Sequence, residues 1–233
     1  MLVRKNITKS VRAIVDNDLS FQDALQRGYS NLSAMARIIK PSIDAIAGTD
    51  VSIESIVTAL KRTRKDYRLP YASVEPIVAG SKISLKTDVA KISVVKNKKT
   101  IDKIANSLTL HYESFLSVSE SVNSITLIFD QLILERIKNL FNEDDMLEVE
   151  SNLAAIIVQS PEEIIKTSGC ALVFYNQLAR RHINIEDTVS CYTDTIMLVN
   201  MNDVAKAFNA LSELIAESRN SLAKAKGKAK SNS

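Results

Sequence analysis

Apolar residues recur at helical spacing from Ile7 to Arg68, and polar breaks divide the stretch into successive helices. Val11, Ile14 and Val15 share one face before the pattern fails at Asp16-Asn17-Asp18. Ser20 is placed to cap a second helix with Phe21, Ala24 and Leu25 inside. Gly28 supplies its stop, because a helix end in the left-handed conformation costs glycine little. A third helix starts near Ser30 or Asn31, buries Leu32, Met35, Ala36 and Ile39, and is expected to kink or end at Pro41. Gly48 closes the next turn, and Ser52 caps a last helix whose inner side is Ile53, Ile56, Val57 and Leu60.

The texture changes after Arg68. Pro70, Pro76 and Gly80 interrupt RLPYASVEPIVAG, where no period holds, which predicts a linker and a domain boundary. Lys82 to Lys86 and Ala90 to Val95 then alternate around Thr87-Asp88 and read as a hairpin or two successive strands. A helix with Ile101, Ile104, Ala105 and Leu108 follows, then strands Phe115 to Ser119 and Ile125 to Phe129, and then a helix with Leu132, Ile133, Ile137 and Leu140. The acidic loop NEDDMLEVE leads into a strand from Leu153 to Val158. The order repeats after Pro161 and Gly169: a helix with Leu172, Phe174, Tyr175 and Leu178, strands around Ile183 to Ser190 and Thr195 to Val199, and a helix with Val204, Ala207, Phe208, Leu211 and Leu214. Ser119 to Asp130 lies over Ser190 to Asn200, with Ser119 on Ser190 and Ile125 on Ile196, the mark of a duplicated unit. The closing SLAKAKGKAKSNS is too polar to pack and is predicted to be a disordered basic tail, 218–233.

Composition narrows the function classes. A chain of 233 residues, 45% hydrophobic and 24% charged, can bury a real core and has room for two domains. It contains no apolar stretch near the length of a membrane span, and MLVRKNITKS lacks the apolar run of a signal peptide, so a cytoplasmic protein with no membrane partner is expected. Cys170 and Cys191 have no metal-ligand spacing, and neither a disulfide, a zinc site nor another cofactor is expected. His111 and His182 have no nucleophile or carboxylate at motif spacing, and no Walker A or GxGxxG loop is present, which argues against an enzyme. The net charge of +3 says little, but its distribution is uneven. Lys61, Arg62, Arg64, Lys65 and Arg68 cluster at one helix end, and Lys224, Lys226, Lys228 and Lys230 alternate with small residues.

Ser168-Gly169-Cys170-Ala171, followed by Phe174, Leu178-Ala179 and Ile183-Asn184-Ile185, resembles the ACT domain, the ligand-sensing module of aspartokinases and many amino-acid-regulated proteins. The resemblance covers Asn152 to Leu214 and extends weakly back to about Ala90. ARIIKP near Ala36, SIVTALKR near Ser55 and SCYTDT at Ser190 to Thr195 are similar to a group of archaeal ACT proteins described as predicted regulators of amino-acid metabolism. The kinase domain that accompanies ACT units in aspartokinases is absent. The fold class this implies is α+β: a helical, helix-turn-helix-like module (1–70), a linker and first strand (71–89), then tandem ferredoxin-like βαββαβ units. The first of these is a degenerate ACT-like unit (90–150) and the second an ACT domain (151–217).

The turn Ser168, Gly169, Cys170, Ala171 is the candidate binding site for a small amino acid, because a helix N-terminus offers N–H groups and partial positive charge to a carboxylate and glycine permits close approach. The resemblance places the ligand between this turn and the second strand, often across a dimer contact, which adds Asn184, Ile185 and Glu186, the last suited to an ammonium group. In the first copy Asn97-Lys98-Lys99-Thr100 replaces the glycine turn, so that copy is read as a structural partner. A homodimer is expected because uncovered sheet edges invite pairing. For the helical module two partners are open. One is DNA, read by Asn31, Ser33 and Arg37 with Lys61, Arg62, Arg64 and Lys65 on phosphates, which would make the protein a transcriptional regulator. The other is a metabolic enzyme, bound by a regulatory subunit that never touches DNA.

Overall fold

Short polar side chains start the helices of the first unit. The computed structural model describes residues 6–64, 71–110 and 115–231, and the chain divides into two units, Met1–Ala72 and Ser73–Ser233. In the first, Asn6 caps α1 (Ile7–Asp16) by accepting the Thr8 N–H. Asp18 rather than Ser20 caps α2 (Leu19–Arg27), its Oδ1 accepting from Ser20 and Phe21 at 2.8 and 3.1 Å. The acid wins because its charge also suits the helix start. Gly28 ends α2 at φ +78°, and Asn31 caps α3 (Leu32–Ala47). Pro41 neither ends α3 nor marks its boundary. The helix continues because Ile43, fully buried two residues further on, belongs to the core. Lys40 Nζ reaches Asp44 at 2.7 Å and the Val51 carbonyl at 2.9 Å, pinning the turn at Gly48 ahead of α4 (Ile53–Arg64). Val11, Val15, Leu25, Met35, Ile39, Ile56 and Leu60 fill the middle of this bundle.

The second unit opens with a helix where a linker was expected: α5 spans Tyr71–Gly80 with Pro76 inside it. Val74, Ile77 and Val78 are buried at helical spacing, and that packing overrides the proline. Thr87-Asp88 is likewise no hairpin. β1 runs unbroken from Lys82 to Val95, and Asp88, at φ +55°, is a bulge within it. The order continues α6 (Lys98–Leu110), β2 (Leu116–Glu120), β3 (Ser124–Asp130), α7 (Leu134–Lys138), β4 (Met146–Gln159), α8 (Cys170–Ala179), β5 (Asp187–Cys191), β6 (Asp194–Asn200) and α9 (Val204–Ser231). Strand β4 starts inside the expected acidic loop, and β5 starts later than the Ile183 expected from sequence. The expected tail is helical through Ser231, because Ala and Lys favour helix and the segment extends one already anchored by Ala207, Leu211, Leu214 and Ile215.

Among the described residues the strands lie in one six-stranded antiparallel sheet, ordered β2-β3-β1-β4-β6-β5. Two separate βαββαβ units would need eight strands. Here each copy supplies βαββα, and its fourth strand is the central strand of the other copy, so β1 and β4 each serve twice. Ala90, Ile92 and Val94 of β1 pack with α6 and α7, while Ala154, Ile156 and Val158 of β4 pack with α5, α8 and α9. Val89, Ile128, Leu153, Ala155, Ile196 and Leu198 form a smaller cluster of strand residues on the opposite face.

Candidate functional site

The connection from β4 to α8 is tied down at its base and open at its tip. At the base Ser160 donates its N–H to the Thr193 carbonyl, and its hydroxyl lies 3.0 Å from that of Ser81. Since the Ser81 hydroxyl already donates to the Ile77 carbonyl at 2.8 Å, Ser160 is the donor between the two. Pro161 rests on Gly80 so closely that a Cβ there would lie 2.7 Å from its Cγ. Arg219 of α9 donates to the Ala79 and Ser81 carbonyls, both at 2.8 Å, and so caps the end of α5 beside this base. A 3₁₀ turn over Glu162–Lys166 follows, held to the β5–β6 hairpin by the Tyr192 hydroxyl on Glu162 at 3.1 Å. Tyr192 and Thr193 form a plain two-residue hairpin turn, closed by the pair Cys191 and Asp194.

At the tip, Ser168, Gly169 and Ala171 are exposed and Cys170 turns inward. Gly169 stands at the start of α8 with φ +89°, a conformation that costs a side chain about 1–2 kcal/mol. It offers no capping side chain, and the first turn of α8 carries no carboxylate. An exposed helix start of this kind attracts an anion to its free N–H groups. Burial pushes the Cys170 thiol above its ordinary pKa, so it stays protonated and packs with Phe174 and Leu178 as a small apolar residue. The matching start of α6 is built differently. The Asn97 side chain accepts the Thr100 N–H at 2.9 Å and the Thr100 hydroxyl accepts the Asn97 N–H at 3.0 Å, a reciprocal cap that satisfies these donors from within the chain.

Within one chain the two halves of the sequence-derived site do not meet. Ser168 to Ala171 lie at the start of α8, and Asn184, Ile185 and Glu186 follow its end, a helix length of about 15 Å away. Asn184 is exposed and Ile185 packs on the main core. Glu186 donates its N–H to the Leu198 carbonyl, and its carbonyl accepts from Lys91 Nζ at 3.4 Å.

Lys91 escaped the sequence reading. Its side chain is 5% exposed on the sheet face away from the helices, with Glu148 at 3.0 Å and Glu150 at 3.1 Å. Burial alone would lower its pKa, but the two carboxylates outweigh burial and raise it. The signal was there: a lysine inside the apolar strand Val89-Ala90-Lys91-Ile92 has to find a partner.

In the helical unit Ser33 and Arg37 are exposed one turn apart on α3, while the Asn31 side chain is occupied as the helix cap, accepting from Ala34 at 3.0 Å. Lys61, Arg62 and Arg64 are exposed on α4, and Lys65 lies outside the described residues, as do Arg68 and His111. Two positions apart, Arg62 and Arg64 leave α4 about 200° from each other. Arg62 lines a shallow cavity of about 420 Å³ with Asn6, Thr8, Glu54 and Ser55. Arg64 lies against Gly28, where any Cβ would collide with its guanidinium, and so belongs to the turn between α2 and α3. Among the described residues no helix is long and apolar enough to cross a membrane.

No protein-family model matches this sequence, and no match is found among curated proteins. Solved structures similar to the chain include aspartate kinase from Clostridium acetobutylicum, an allosteric enzyme, at TM-score 0.47 and 21% identity, covering 57% of this chain and 34% of that one. The ligand-free regulatory subunit of aspartate kinase from Thermus thermophilus is similar at TM-score 0.47 and 11% identity, covering 57% of this chain and 95% of that one. Aspartate kinase from Synechocystis is similar at TM-score 0.49 and 17% identity, covering 59% and 27%. The chain therefore spans about a third of the Clostridium enzyme and nearly all of the Thermus subunit.

Proposed function

We propose that this protein is a non-catalytic, ligand-sensing regulator of amino-acid metabolism whose second repeat binds a small amino acid at the turn Ser168 to Ala171. The observation that carries this reading is the bare, exposed glycine start of α8, set against the side-chain cap on α6. The ligand carboxylate takes the first-turn N–H groups of α8, and the ligand ammonium needs an acceptor, for which Glu186 is the candidate. Because Glu186 lies at the far end of α8 in the same chain, the reading requires a dimer in which Asn184 to Glu186 of a second copy face the turn. A thermal-shift screen of the full chain against the common amino acids tests it, since a ligand that binds only the native state raises the melting temperature. One or two related amino acids should shift the melting temperature clearly, and no shift with any of them would contradict the proposal.

The regulator acts on DNA through the helical unit, in a cytoplasmic setting. Supporting this are the turn of Gly28 to Asn31 between α2 and α3, the exposed pair Ser33 and Arg37, and the guanidinium of Arg64 at that same turn. The reading in which this unit docks on a metabolic enzyme is favoured instead by Leu19, Tyr29 and Ile38, large apolar residues of the unit that are each more than 60% exposed.

A further inference from the structure

The inner part of α9 is held by the sheet and the outer part by nothing described. Buried positions recur through Ala207, Ala210, Leu211, Leu214, Ile215 and Ser218 and then stop. Beyond them every described side chain except half-buried Leu222 is exposed, while the helix runs on to Ser231, some 18 Å past Arg219. Arg219 fixes the point of departure through its two bonds to the end of α5. From Arg219 to Ser231 the sequence has Lys224, Lys226, Lys228 and Lys230 and no carboxylate.

A helix of this kind is poorly stabilised alone. Lys224 with Lys228, and Lys226 with Lys230, are like-charge pairs one turn apart, and Gly227 between them weakens the helix further. A polyanion removes the first penalty by neutralising the repulsion. The spacing also selects the kind of polyanion. Positions 224 and 228 form one row along the helix and 226 and 230 another, about 200° around it, with alanine and glycine between. Two cationic rows on opposite sides of a slim helix match the two phosphate rows that flank the major groove of a duplex, which is wide enough to admit an α-helix. A helix that inserts into an anionic membrane surface would instead need one broad apolar face, and Leu222 is the only large apolar residue in the segment, so vesicles serve as the control for purely electrostatic binding.

We infer that the outer half of α9 is a sequence-independent binding element for the phosphate backbone of double-stranded nucleic acid, separate from the helical unit. The inference extends the nucleic-acid reading of this protein and can fail without it. The test titrates the full chain against a short fluorescent DNA duplex at several salt concentrations, and against phosphatidylserine vesicles. The wild type should bind the duplex with affinity that falls steeply as salt rises. Replacing Lys224, Lys226, Lys228 and Lys230 together by glutamine, which keeps helix propensity, should weaken binding at least tenfold at low salt and make the log–log salt slope shallower by roughly 3 to 4. Circular dichroism confirms the fold of each variant. Failure of the wild type to bind, an unchanged slope in the quadruple variant, or lysine-dependent binding to vesicles without binding to DNA would each overturn the inference. The variant Arg37→Gln/Arg64→Gln separates the two readings: if it alone loses binding, the helical unit is the DNA element and α9 is not.

Discussion

The two repeats share their central strands almost position for position and part company at the link that follows. β1 and β4 align from Lys82 on Met146 to Val95 on Gln159, placing Val89-Ala90 on Leu153-Ala154. Asp88 and Asn152, at φ +55° and +59°, occupy the same place, and the burial patterns run in parallel. After β1, Lys96 and Asn97 alone lead into α6, whose start is closed by its own side chains. After β4 the chain takes the longer path from Ser160 to Gly169 and begins α8 without a cap. The bulged strands are kept in both copies because each completes the other's half of the sheet. The links carry no such constraint, and they differ in whether the helix start is satisfied from within or left for something else to satisfy.

The largest expected effect lies where the copies meet. Lys91 of β1 pairs with Glu148 and Glu150 of β4, whereas its counterpart in β4 is Ala155. Lys91→Met leaves two carboxylates facing each other and should cost about 3 kcal/mol in urea unfolding, the low end for a broken buried pair because both glutamates are partly exposed. The pH dependence has a defined sign. The folded pKa of Lys91 is raised above 10.5, so its stabilisation is present below that pH and is lost as pH rises through the folded value. Urea midpoints between neutral and strongly alkaline pH should therefore fall for the wild type and fall less for Lys91→Met. An equal fall would mean that Lys91 does not contribute to the loss of stability at alkaline pH.

Smaller effects should sharpen the contrast between the links. Asn97→Ala removes a cap from α6 and its bond to Asp145, and should cost about 1 kcal/mol of stability while leaving amino-acid affinity unchanged. Altered affinity would mean that the first copy takes part in binding. Lys99→Val, in the first turn of α6, should change affinity by no more than a few-fold in calorimetry and stability by only a few tenths of a kcal/mol.

Much of this scaffold was legible in the sequence. Helical spacing located α1 to α4, α6, α8 and α9, and the likeness of Ser119–Asp130 to Ser190–Asn200 located the second half of the duplication one residue out of register: strand pairing matches Ile125 with Thr195 rather than Ile196, and Glu120 with Ser190. The first half stayed hidden because Thr87-Asp88 reads as a turn and NEDDMLEVE as a loop, whereas both stretches belong to long strands whose bulges, at Asp88 and Asn152, are stabilised by pairing between the repeats. Helix α5 was hidden by Pro76, since only packing of Val74, Ile77 and Val78 against the core outweighs a proline. At the candidate site the sequence located Gly169 at a helix start, and its positive φ and exposure came from the structure. It could not place Asn184 to Glu186 at the opposite end of α8, because motif order along a chain carries no distance. Arg62 and Arg64 show the same limit, two positions apart in sequence and divergent on the helix.

If the uncapped glycine start of α8 receives the ligand, titration calorimetry with the amino acid found by screening will separate the wild type from Gly169→Val. A Cβ added there would meet only Val74, at 3.9 Å, so the first side-chain atom has room, but valine disfavours φ +89° and its branched side chain would stand where the ligand carboxylate must approach. Saturable binding is expected of the wild type, and none measurable of a Gly169→Val protein that circular dichroism finds folded. Equal affinity in the two folded proteins would place the ligand site elsewhere than the start of α8.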